Sequence, residues 1–137
     1  GDLRCGTHRL AQPQVRPAFL DFAVRHAAAW RREHPAQAQD LRVLALGSGL
    51  LLFELELLEA LGARCGLGPK AVHLVDPIYD PAPAQLSGDA RKWHAESHGL
   101  ARQALAAFAA CLPGCSVAAH GSLEAFEAAC GRAPGAA

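Results

Sequence analysis

Residues Leu41 to Asp76 carry the pattern that most restricts the fold of this chain. LRVLAL, from Leu41 to Leu46, is almost wholly apolar. A short run of this kind marks a strand buried on both faces, as in a parallel sheet. Gly47-Ser48-Gly49 follows at once, and Leu50 to Leu61 then reads as a helix that Gly62 is placed to end. A glycine-rich loop, Ala63 to Lys70, leads to a second apolar strand, Ala71 to Val75, with Asp76 at its carboxyl end.

The flanking sequence repeats the alternation. Val15, Phe19, Phe22, His26 and Trp30 recur at helical spacing, which predicts an amphipathic helix over Gln14 to Glu33, ended by His34-Pro35. A long helix is expected from Asp89 to Leu112, with Trp93, Leu100, Ala104 and Phe108 on one stripe, broken by Pro113-Gly114. Ser116 to Ala119 is a third strand. Ser122 then caps a short helix with Leu123, Phe126 and Cys130 on its inner side, stopped by Gly131 and Pro134. One helix followed by strand-helix three times predicts an α/β fold with parallel strands and right-handed crossovers. The expected boundaries are an irregular arm over 1–13, one α/β domain over 14–131 and a frayed tail over 132–137.

Composition narrows the function classes. Hydrophobic residues make up 51% and the formal net charge is +0, so the chain can bury a core and has no nucleic-acid footprint, although its first 42 residues lean basic. No membrane span is expected: the uncharged region Gln103 to Leu123 is interrupted by Pro113 and Gly114, and the run Val43 to Phe53 is too short. Five cysteines without a CxxC pair point to reduced, mostly buried thiols. With no methionine in it, the chain reads as processed, excised or incomplete. An intracellular, soluble protein is expected, and the arginine-rich beginning is compatible with an organelle.

A glycine turn between strand and helix lets a ligand approach the backbone and meet the free N–H groups of the helix start. An acid at the end of the next strand can accept two hydrogen bonds from ribose hydroxyls. VLALGSG followed by VHLVD resembles the first two nucleotide-binding motifs of class I S-adenosylmethionine (SAM)-dependent methyltransferases, over about Leu41 to Ala129. The resemblance implies a three-layer Rossmann-like half-domain with strand order 3-2-1. It implies SAM as the cofactor, with Gly47, Ser48 and Gly49 at the turn and Asp76 on the ribose. Tyr79, three residues on, is placed either to stack on the adenine or to pack in the core.

The sequence departs from that family in ways that bear on activity. Ala45 stands where the family has an acid, and Leu51 stands where it has a small residue. Leu50 and Leu51 would crowd the space of the cofactor's methionyl part. The family fold has seven strands and this chain supplies three, without the segment that carries catalytic residues. No activated nucleophile or paired carboxylates replace it, so no catalytic residue is expected. Three readings follow. The first is a non-catalytic methyltransferase-like module serving as a structural or accessory subunit. The second is the SAM-binding amino-terminal part of an active methyltransferase, and the third a small nucleotide-binding module. In strand order 3-2-1 the strand at 41–46 lies at an edge, apolar and without a charge after Arg42. A protein partner or a missing carboxyl-terminal half is expected to cover it.

Histidines complete the candidates. His94 and His98, four apart on a helix, have a spacing that suits a metal, but no third ligand can be named; a solvated face is expected and no metal site. His73, within a strand, is expected to be a satisfied core or interface residue, and His120 to serve a turn. Glu54, Glu56 and Glu59 either line a site or form the wet side of their helix. GSG also reads without a ligand, as a plain strand-to-helix turn, and Asp76 as the cap of the Asp76-Pro77 turn.

Overall fold

The computed structural model describes residues 14–49, 51–84 and 86–131. The expected arm and tail and Leu50 lie outside the described residues. The elements in chain order are α1 (Val15–Glu33), β1 (Arg42–Leu46), α2 (Leu52–Cys65), β2 (Ala71–Val75), α3 (Gly88–Ala110), β3 (Ser116–His120) and α4 (Leu123–Ala129), with 3-10 turns at Gln37–Asp40 and Pro77–Tyr79. The architecture is α/β: one parallel sheet in the order β1-β2-β3, with flanking helices and an amino-terminal helix. Among the described residues no helix is long and apolar enough to cross a membrane.

The described residues fall into two compact units. The first takes residues up to Gln39 with Glu56–Gly68, and the second takes Asp40–Leu55 with the residues from Pro69 onward. In the first unit the core is Val24, Ala38, Leu58, Leu61, Cys65 and Leu67. The Cys65 thiol donates to Val24 O at 3.5 Å, and Arg64 pairs with Asp21 at 2.7 Å.

The expected inner face of α1 is corrected here. Val15, Phe19 and Phe22 are about half exposed, and His26 is exposed against the Phe22 ring; Val24 is the buried residue. Periodicity locates an apolar stripe, but Val24 with its small neighbours Ala27 and Ala28 forms the other, more buried side. The end of α2 also differs from expectation. The helix begins two residues later, because Leu51 sits in left-handed backbone at φ 68°, and it runs through Gly62 to Cys65. Gly66, at φ 61°, provides the stop, with its N–H on Gly62 O and the Leu67 N–H on Leu61 O. Arg31 adds a hydrogen bond from its guanidinium to Cys65 O.

In the second unit β1 pairs with β2 from Arg42↔Ala71 to Leu46↔Val75, and β2 with β3 from Ala71↔Ser116 to Val75↔His120. Val72 and Leu74 are on one face and almost fully buried, each contributing about 1.5–3 kcal/mol of burial. Ala101 and Phe108 of α3 are buried, and α3 packs on β3 and on the 77–79 turn. The opposite face carries three rows across the strands: Arg42, Ala71, Ser116; then Leu44, His73, Ala118; then Leu46, Val75, His120. Helix α4 packs on β2 and β3. Its start is the expected one, since Ser122 Oγ accepts from Ala125 N at 3.2 Å.

The described cysteines are free, yet only Cys65 is buried, while Cys111 and Cys130 are exposed. These two are the carboxyl caps of α3 and α4.

Candidate functional site

The parallel register brings the glycine turn and Asp76 together at the carboxyl ends of β1 and β2. Gly47 N donates to Val75 O at 2.8 Å, extending the ladder by one bond. Gly47 and Gly49 have φ of 70° and 53°, so the turn uses the left-handed backbone that glycine supplies without strain. Leu51 adopts the same region without that freedom, and its side chain is buried.

Asp76 faces the turn and binds it. Its Oδ2 accepts from Gly49 N at 3.0 Å, and its Oδ1 accepts from Ile78 N at 2.9 Å. One carboxylate thus holds the glycine turn and caps the Pro77–Tyr79 turn at once. The Tyr79 hydroxyl lies 3.4 Å from Gly49 O, donating to it, and the ring is buried. Of the two roles read from sequence, packing in the core is the one this position fits. Ser48 is also buried.

Burial pushes the Tyr79 phenol above its ordinary value of 10.0; the Ser48 hydroxyl opposes this, and the carboxylates of Asp76 and Glu54 add to it. Tyr79 is the single tyrosine, so phenolate absorbance reads it alone. A native titration midpoint above 10 is expected, returning to about 10 in denaturant. The folded state favours the protonated phenol, so this contribution to stability is complete below pH 10 and declines as pH rises towards the folded midpoint. A native midpoint at or below 10 would show that the ring is not packed in this way.

The histidines of α3 are not on a solvated face. His94 is buried with Nε2 2.7 Å from Asp80 O, and His98 Nδ1 lies 2.8 Å from Ile78 O. Each ring donates one N–H to the segment after Asp76 and so ties it to α3. Sequence shows only their shared helix face; the carbonyls they meet are brought there by the βα crossover. A shallow cleft lies beside them, between Pro81–Ala84 and Arg91, His94 and Ala95.

His73 and His120, assigned separate structural roles from sequence, meet across β2 and β3. Their Nδ1 and Nε2 atoms are 3.2 Å apart, and both rings meet the Phe126 ring at steep angles. Glu56 lies on a wet side, paired with Arg16 at 3.0 Å with both side chains about half exposed. Among the described residues no group of three His, Cys, Asp or Glu side chains could hold a metal ion.

Compared with protein-family models, curated proteins and solved structures, the chain matches none.

Proposed function

We propose that this chain is a non-catalytic methyltransferase-like module that acts as a structural or accessory subunit, joined to a protein partner along β1. The observation that carries this reading is the edge position of β1, which among the described residues pairs with β2 alone. Leu41 O and Gly47 N face β2, accepting from Lys70 N and donating to Val75 O, so in a parallel strand the N–H and C=O groups of Arg42, Leu44 and Leu46 point the other way. On the sheet face, Leu44 is 44% and Leu46 66% exposed. Arg42, paired with Asp40 at 3.5 Å, is the one charge in β1. An apolar edge with a single charge, at its beginning, is a surface for strand pairing.

The glycine turn supports the non-catalytic part. Both oxygens of Asp76 are engaged by backbone N–H groups, and Leu51 and Tyr79 fill the space beside the turn with buried side chains.

Calorimetric titration of the whole chain with SAM is expected to give no saturable heat. Size-exclusion chromatography with light scattering is expected to show concentration-dependent association, suppressed by Leu46→Lys. Saturable SAM binding lost on Asp76→Ala would replace this reading with that of a cofactor-binding part of a methyltransferase. A chain that stays monomeric at high concentration would remove the edge from it.

A further inference from the structure

The geometry points to a two-histidine site for a borderline divalent metal ion, such as Zn²⁺, Ni²⁺ or Cu²⁺, formed by His73 Nδ1 and His120 Nε2 on the half-open face of the sheet. The two nitrogens are 3.2 Å apart. Two imidazoles at about 2.0–2.1 Å from a tetrahedral ion are roughly 3.3–3.4 Å apart, so the strands need not move to accept one. The ion would sit about 1.3 Å off the line between the nitrogens; the ring centroids are 5.4 Å apart, so the nitrogens point nearly at each other and each ring would turn by about 40° to aim its lone pair at the ion. Imidazole suits this group of metals better than it suits magnesium or calcium.

Three features of the surroundings favour the site. His73 and His120 stand on adjacent strands one row apart, on a rigid hydrogen-bonded frame that fixes their separation. The Phe126 ring packs on both imidazoles, at centroid distances of 5.1 and 5.4 Å, and so gathers them on one face of the sheet. Both imidazoles are half-buried, so an ion can reach the pair from solvent. Among the described residues no third side chain joins them in a metal-binding group, so water completes the coordination and the ion is exchangeable.

The proton balance is simple. In the metal-free pair one ring donates its facing N–H to the other. On binding, that ring's proton moves to its own remaining nitrogen by way of water, and both facing nitrogens offer lone pairs. No net proton is released when both rings start neutral. The ion then staples β2 to β3 and stabilises the fold by mass action.

The test is thermal unfolding of the whole chain, under reducing conditions, with Zn²⁺ or Ni²⁺ alone. A saturable rise in Tm of about 5 °C is expected at roughly ten times Kd. His73→Gln and His120→Gln should each abolish the rise, while His98→Gln should keep it. Should a glutamine variant fail to fold, electron paramagnetic resonance of the wild-type chain with Cu²⁺ decides, with two equatorial imidazole nitrogens expected. No rise in the wild type, a rise that survives either substitution at the pair, or a Cu²⁺ spectrum without two imidazole nitrogens would overturn the assignment.

Discussion

Gly121→Ala is expected to destabilise the fold by about 2–3 kcal/mol, the cost of forcing an extra group into a packed site. The backbone at Gly121 does not require glycine, so the effect is steric. A Cβ there would lie 2.8 Å from Asp80 Cβ, 2.9 Å from its Cα and 3.0 Å from its N. Real Cβ atoms do not approach backbone that closely, so Asp80 would have to move. It is held from three sides: its N–H is on Pro77 O at 3.1 Å, its carbonyl takes His94 Nε2 at 2.7 Å, and its Oδ1 accepts from Ala82 N at 2.9 Å. The space at Gly121 is therefore what lets the end of β3 lie against the segment that follows β2. Chemical denaturation measures the loss, and amide exchange locates it. Faster exchange at Asp80 and Ala82 should accompany it. A change below about 0.5 kcal/mol, the range of ordinary surface substitutions, would show that the segment yields freely.

How much of this was legible in the sequence depends on the range of the interaction. Strands were legible because each is a short apolar run bounded by turn residues: Ala71 to Val75 matches β2, and the other two differ by one residue at one end. The order β1-β2-β3 agrees with the one the resemblance implied, whereas right-handed parallel crossovers alone leave the order open. Helix ends were legible where the cap is local, as at Ser122, and misread at Gly62, where Gly66 makes the stop. The side of α1 that is buried was not legible, because Phe19 and Phe22 outweigh Val24 and its alanines in any hydrophobic pattern while being more exposed. In the candidate site, Gly47, Gly49 and Asp76 were legible as neighbours because the motif encodes a parallel register. The bond from Gly49 N to Asp76 was not, since it depends on how the turn closes. The contact of His73 with His120 spans 47 residues and rests on a one-row offset between strands, a register that pattern alone does not set.

Asp76→Ala is expected to cost about 2–4 kcal/mol, because it leaves two backbone donors without their acceptor in a part-buried place. The Gly49 N–H loses its bond across the glycine turn, and the Ile78 N–H loses the cap of the Pro77–Tyr79 turn. Those losses fall at opposite ends of one carboxylate, so they can be separated. In Asp76→Asn the side-chain carbonyl can still cap Ile78, while the amide NH₂ replaces the oxygen facing Gly49 and sets donor against donor. About half of the stability should return, and amide exchange should slow at Ile78 but not at Gly49. If Asp76 serves chiefly to build the turn, the alanine variant loses stability whether or not SAM is present. If it serves a ribose, the variant should fold with little loss, and SAM should stabilise only the parent chain by mass action. The two roles thus predict opposite results from one pair of unfolding curves, and the bonds to Gly49 and Ile78 favour the first.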